Sequence, residues 1–343
     1  MIDKIVTFIV PAYNAEKHLD RCLSSFLLPE ILEKIEIIVV NDGSKDRTAD
    51  VAKKYTERYP SSFVLINKEN GGHGSGINAA ILQARGYYFR VIDSDDWVLT
   101  ENLNEYVECL KSTAADVILT NYQRVDALGG KKTSFVSQDI AFGKVYSLED
   151  VMNAGKGALI CCMLYGLTYR TAFYRSCNVR LSEGISYEDQ EYATIFFAQA
   201  HSILFLNLFL YQYLTGTTTQ SMSDVNQVKR APQLEQVFWK IATIYMQGKE
   251  LSPSIQKFYL YKLSETLQSY YITMFIRNRD RATGRSEARR MRRKSTEAIP
   301  ALKFLTNFRY WLLFTMHILH IKTWHLELLK KSPAYHWLRQ IIR

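Results

Sequence analysis

Asp93-Ser94-Asp95-Asp96 follows the apolar run Tyr87–Ile92 and places three carboxylates within four positions. Such groups repel one another unless a cation or a set of donors sits among them. Oxygen-only ligation suits a hard divalent ion, Mg²⁺ or Mn²⁺, which in turn suits a substrate diphosphate. The same tetrapeptide also fits a strand-end turn that caps the next helix. Glu188-Asp189, in Ser186-Tyr187-Glu188-Asp189-Gln190-Glu191-Tyr192, offers a carboxylate that can deprotonate an acceptor hydroxyl. An acidic pair at a helix start is equally what the macrodipole favours.

Asp42, in Val39-Val40-Asn41-Asp42-Gly43-Ser44, can accept a hydrogen bond from a ring imide N–H such as uracil presents, or can simply form an Asp-Gly turn. Tyr13, in Pro11-Ala12-Tyr13-Asn14, can lie against a base or ribose, or pack as a buried aromatic. Gly71-Gly72-His73-Gly74-Ser75-Gly76-Ile77-Asn78 offers backbone N–H groups at a helix start to a phosphate or sugar hydroxyl. Gly74 to Ala79 also fits G-x-G-x-x-A, but it follows the third strand, not the first, so nicotinamide chemistry is not the reading. No G-K-[ST] follows, so it is not a P-loop. Thr217–Ser223 is a polar loop that can contact phosphates or merely connect. The histidines at 201, 317, 320, 325 and 336 form no compact ligand motif.

The elements that must hold these groups alternate. Ile5–Val10, Ile35–Val40, Phe63–Ile66, Tyr87–Ile92 and Asp116–Thr120 are apolar strand-like runs. Helical patterns over Glu16–Ser25, Thr48–Arg58, Ser75–Gln83 and Asn102–Lys111 separate them. This predicts an α/β, Rossmann-like open and mostly parallel sheet with helices on both faces, with ligands outside the carboxyl ends of the strands. The four polar clusters fall at those ends. Ala193–Ala200 reads as a helix and Ile203–Tyr213 as a strand. From about 226 the pattern is helical, with Leu234, Val237, Phe238 and Ile241 on one face. Residues 1–225 are therefore read as a ligand-binding and catalytic domain, which the resemblance given below would make a nucleotide-sugar-binding one, and 226–343 as a helical basic region.

With 47% hydrophobic and 22% charged residues over 343 positions, the chain has the composition of a folded protein and not of a disordered one. The net charge of +9 is unevenly placed. Residues 1–276 carry 27 Lys and Arg against 30 Asp and Glu, and residues 277–343 carry 16 against 4. Arg277–Lys294 alone holds 9 basic and 2 acidic residues, with little aromatic interleaving, so no nucleic-acid partner is expected. Beside Trp311, Trp324 and Trp337, it suits an anionic membrane face, self-association through the helices, or a solvated helical cap. No signal peptide or spanning segment is expected, and five cysteines without metal spacing suit a reduced, cytoplasmic protein, peripheral at most on the inner membrane face.

Taken together, Ile9–Asn14, Val39–Thr48, Asn78 with Gly86, Asp93–Asp96 and Tyr187–Asp189 resemble the family 2 inverting glycosyltransferases of GT-A type, the kind that builds bacterial polysaccharides and glycoconjugates. The resemblance covers about residues 4–225. It implies a UDP-sugar donor, a divalent metal (Mn²⁺ or Mg²⁺) and a glycan acceptor. By motif match, Pro11, Tyr13 and Asp42 hold the uridine, with Asn14 in the same element. Asp93 reaches the ribose or diphosphate and Asp95 the metal. Asp96 is either a metal ligand or a donor-sugar contact. Asp189 is the catalytic base, Glu188 lies near the acceptor, and Ser221 is a weak match at the site's rim. Where the family commonly has Ala-Arg-Asn after the third strand, Gly76-Ile77-Asn78 stands here, with His73 and Gly74 ahead of it. His73 is read as replacing part of the missing arginine. The rival reading is a nucleotide-sugar-binding scaffold without catalysis on the same fold.

Overall fold

Lys4–Ala12 forms β1, and every residue of it except Ile5 is buried. A strand buried on both faces must be flanked by strands and covered by helices, which is what the unbroken apolar run requires. The computed structural model describes residues 4–128, 130–216, 224–248 and 250–321. Thr217–Ser223, with Ser221, and the tryptophans and histidines beyond residue 321 lie outside the described residues.

The chain divides into two compact units, residues 1–218 and 219–343. The first unit is built on a ten-stranded sheet. After β1 come β2 (Ile35–Asp42), β3 (Phe63–Lys68), β4 (Gly86–Val91), β5 (Trp97–Val98) and β6 (Val117–Asp126). Then follow β7 (Lys132–Phe135), β8 (Val145–Tyr146), β9 (Leu167–Arg170) and β10 (Ile203–Thr215). The order is β3-β2-β1-β4-β9-β6-β10-β5, with β7 paired to β6 and β8 to β10. Strands β3, β2, β1 and β4 are mutually parallel, as are β6 and β10. Strand β9 enters antiparallel between β4 and β6. It has only four residues, too short to leave a periodic signal.

Two departures from the sequence expectation matter for the site. Residues 188–199 are not one regular helix. A four-residue α-turn, Glu188–Glu191, widens into a π-turn over Tyr192–Phe196 and tightens again over Phe197–Gln199. Strand β10 slips register against β6 between Leu206 and Phe209 and again before Tyr211. It then pairs with β5 at Val98 and Trp97, which brings Tyr211 and Leu214 to the loop between β4 and β5.

The second unit contains helices Asp224–Gln247, Pro253–Ile272, Arg281–Ala298 and Ala301–Ile318, with a π-turn at Thr273–Arg277. Arg290 ties helices together: it bonds both carboxylate oxygens of Glu235 and also Glu287. Part of the basic run is therefore structural.

At the carboxyl edge of β1 and β2, Thr48 joins two loops. Its hydroxyl accepts the Ala15 N–H at 2.7 Å and donates to Asp46 at 2.5 Å, and Thr48 is fully buried. Thr48→Val keeps the volume but leaves the Ala15 N–H unpaired, a cost of about 1–3 kcal/mol. The urea midpoint should fall at unchanged slope; an unmoved midpoint would remove this role from Thr48.

Candidate active site

Four loops at the carboxyl ends of β1 to β4 and the segment 181–191 build one polar region. Asn14, just past β1, sits in the left-handed region at φ 51°. Its backbone N–H donates to the Ser44 hydroxyl at 3.0 Å, and its side-chain oxygen accepts the Lys45 N–H at 2.8 Å. The loops after β1 and β2 are thereby one piece. Tyr13 points out, 53% exposed, and Pro11 is buried under Gly76, where an added Cβ would come to 3.2 Å from the proline Cβ.

Asp42 anchors the glycine loop. Lys68 Nζ and the Gly71 N–H reach Oδ1 at 2.7 and 3.0 Å, and the Gly72 N–H reaches Oδ2 at 2.7 Å. Of about four acceptor positions on a carboxylate, one on Oδ2 is left for a further donor. Gly72 needs its glycine, at φ 86°.

The acidic loop is organised by Tyr211, whose hydroxyl accepts the Asp93 N–H at 3.1 Å and donates to Asp96 at 2.6 Å. The Leu214 N–H donates to the other Asp96 oxygen at 2.7 Å. Asp96 is fully buried, and burial, with the charges of Asp93 and Asp95 added, pushes its carboxyl well above the usual range. This departs from the donor-contact expectation: both Asp96 oxygens face inward, closed off from solvent, and anchor the loop. Asp95 is the exposed member of the three, yet the crowded loop still desolvates its carboxyl, and this with the neighbouring Asp93 charge raises it as well. Arg21 holds the Asp95 carbonyl at 2.5 Å while lying over the Trp97 ring.

His73 opens the helix His73–Gln83 and bridges the two acidic motifs. Nδ1 meets Glu188 at 2.7 Å and Nε2 meets Asp93 at 3.0 Å. Burial opposes the charged ring, but the bonds to Asp93 and Glu188 prevail and hold the imidazolium well above its ordinary range. Gly74 permits the approach: an added Cβ would strike the Ser182 carbonyl and lie 2.9 Å from Glu188 Cγ. Glu188 is buried; Asp189, one residue further along the same turn, is half-buried.

The Asn78 side chain, in the helix-start loop expected to face the donor, is bonded within the protein. Its amide donates to the Leu181 carbonyl and to Glu183, both at 2.9 Å, and its oxygen accepts the Leu181 N–H at 3.1 Å. It is buried and straps segment 181–183 to the helix. Glu191, also buried, holds Ser182 through both carboxylate oxygens. Sequence reasoning missed Tyr211, Lys68, Glu183 and Glu191. Tyr211 lies in an apolar strand and looks like core; only the density of carboxylates between 183 and 191 gave a signal for the two glutamates.

A mostly parallel sheet whose carboxyl edge gathers an acidic loop, a glycine loop and a carboxylate turn is the architecture of GT-A enzymes. Residues 7–164 match the model described as Glycosyl transferase family 2. Glycosyltransferase GlyA of Streptococcus pneumoniae is 27% identical over 62% of this chain and 31% of its own length. Poly(ribitol-phosphate) beta-N-acetylglucosaminyltransferase TarS of Staphylococcus aureus is 27% identical over 63% of this chain and 36% of its own. The chain thus spans about a third of the length of these two relatives. The solved TarS 1–349 shares the fold, with a TM-score of 0.63 at 20% identity over 92% of this chain and 89% of that one. Its complex with UDP-GlcNAc gives 0.55 at 18% identity, over 85% and 92%. The mannosyltransferase PcManGT of Pyrobaculum calidifontis, solved with GDP-Man and Mn²⁺, gives 0.50 at 15% identity, over 92% and 85%.

Two substitutions separate anchoring from bridging. Tyr211→Phe removes one bond from each of two buried groups and should cost about 1–3 kcal/mol. His73→Ala leaves Glu188 buried without its cation and should cost more, about 3–5 kcal/mol. Equal urea midpoints for the two variants would contradict the bridge.

Proposed function

We propose that this protein transfers a hexose or N-acetylhexosamine from a UDP-sugar to a hydroxyl of a glycan acceptor, whether lipid-linked, polysaccharide or glycoprotein, by direct displacement with inversion. The observation that carries the reading is the convergence of the two acidic motifs on His73, within 3.0 Å of Asp93 and 2.7 Å of Glu188. Sugar transfer needs a donor-side and an acceptor-side carboxylate in one place, and proximity of this kind is itself a large part of catalysis. The TarS relative, named for N-acetylglucosaminyl transfer and solved with UDP-GlcNAc, supports a UDP-linked donor.

The acidic loop fits a hard divalent cation. Ligand atoms of Asp93, Asp95 and Asp96 all lie within 4.8 Å of one another, and every one is oxygen. Asp95, the exposed member, would hold Mn²⁺ or Mg²⁺ with Asp93 beside it, and the bound ion supplies positive charge against the leaving diphosphate. Tyr13 offers a face to the uridine, beside Pro11 and Asn14. Asp42 offers its remaining Oδ2 position to the uracil imide N–H. Asp93 serves the ribose or diphosphate, and Gly74 lets the helix start close on the site. Asp189 takes the acceptor proton as the hydroxyl attacks the anomeric carbon from the face opposite the diphosphate. Glu188, buried against His73, fixes the turn that carries Asp189. On this reading residues 1–225 perform the reaction and 226–343 serve docking.

A panel of UDP-sugars with Mn²⁺ and a glycan acceptor, read as UDP release with product formation, tests the activity. Binding without product across the panel would favour the scaffold reading. Asp189→Asn should lower kcat about 10²–10⁴-fold at an unchanged unfolding midpoint, and near-full turnover would remove the base role from Asp189. The unsubstituted chain should show a Mn²⁺-dependent rise in Tm with UDP, which Asp95→Ala should abolish; a retained rise would place the ion elsewhere.

A further inference from the structure

The helix Ala301–Ile318 presents two opposite faces. Leu302, Thr306, Tyr310, Leu313, Met316 and His317 are buried within the helical unit. On the other side Phe304, Phe308 and Trp311 stand 84%, 62% and 52% exposed, with Leu305, Ile318 and Leu319 also exposed. Positions 304, 308, 311 and 318 fall on one side of a 3.6-residue helix, so this is a continuous stripe and not scattered apolar residues.

Cations border the stripe. Arg289 lies over the Phe314 ring at 5.7 Å, and Arg292 over Tyr310 at 4.3 Å while donating to Asn307 at 2.7 Å. Arg293 and Lys303 are exposed nearby in sequence on these two helices. Between residues 281 and 321 the acidic residues are Glu287, which Arg290 holds, and Glu297. Exposed aromatic rings flanked by arginine and lysine match the boundary of an anionic bilayer, where rings enter the headgroup region and cations meet lipid phosphates. Among the described residues no helix is long and apolar enough to span a membrane. A self-complementary apolar dimer face would instead bring this strongly basic rim against its own copy, which like charges oppose.

We propose that the Phe304–Phe308–Trp311 face, with its arginine rim, docks the protein on an anionic lipid surface, lying in the plane of the interface. The inference stands apart from the reaction proposed above, because none of the site residues lies on this helix. Co-sedimentation of the full chain with vesicles tests it, comparing phosphatidylcholine alone with an equimolar mixture of phosphatidylcholine and phosphatidylglycerol. Binding should require phosphatidylglycerol and weaken in about 0.5 M salt. The triple variant Phe304→Ser, Phe308→Ser, Trp311→Ser should bind at least about tenfold more weakly while still unfolding cooperatively, because Phe304 and Phe308 face solvent and Trp311 is half-exposed against Tyr310 and Phe314. Arg289→Glu with Arg293→Glu should weaken binding to the mixed vesicles without this loss of apolar area. Unchanged binding by the triple variant overturns the proposal. So does a wild-type chain that ignores both vesicles and sediments in buffer as a dimer that the triple variant dissolves, since the face would then belong to a second copy.

Discussion

The constraint on which the rest of this site depends is the crowding of carboxylates. Asp93, Asp95 and Asp96 lie within a few ångströms of one another, and Glu188 reaches the same place from a distant part of the chain. In a partly desolvated setting such charges repel strongly. The protein answers with groups that each touch two elements. His73 joins Asp93 to Glu188, Tyr211 joins the Asp93 backbone to the Asp96 carboxylate, and Arg21 holds the Asp95 carbonyl. Asp96 is sealed inside and its carboxyl raised, which leaves Asp95 as the member that meets solvent.

The glycine loop follows from the same requirement. His73 can bridge only if the backbone ahead of it turns through a positive φ at Gly72 and if no side chain at Gly74 keeps Glu188 away. Asp42 pins the loop from below through the Gly71 and Gly72 N–H groups, and Asn78 and Glu191 hold segment 181–183. The residues closest to the proposed chemistry thus rest on a second set of buried polar groups whose bonds are internal. Buried polar networks of this kind rigidify a site.

The helical unit obeys a different economy of charge. Arg290 is consumed in bonds to Glu235 and Glu287, and Arg292 lies against Tyr310, so the basic run is only partly a surface feature. What remains outward borders an apolar stripe that stands exposed among the described residues.

Much of this was legible beforehand. The helix Thr48–Arg58 and the strands from β1 to β4 follow from unbroken apolar runs punctuated by turn-forming residues, because local period and burial on both faces act through neighbouring positions. The acidic loop, Asp42 and the Glu188-Asp189 pair stood out for the same reason, as rare residue types at strand and helix ends. The sequence by itself determined which residues are available for chemistry. It could not decide their assignments. Whether Asp96 and Asn78 face a ligand or the interior depends on Tyr211, Leu214 and Leu181, which lie about a hundred residues away. The insertion of β9, the register slips of β10 and the π-turn after Glu191 are likewise products of packing. Long-range hydrogen bonds and burial are properties of the closed chain, so only the tertiary structure decided which carboxylate is an anchor and which is exposed.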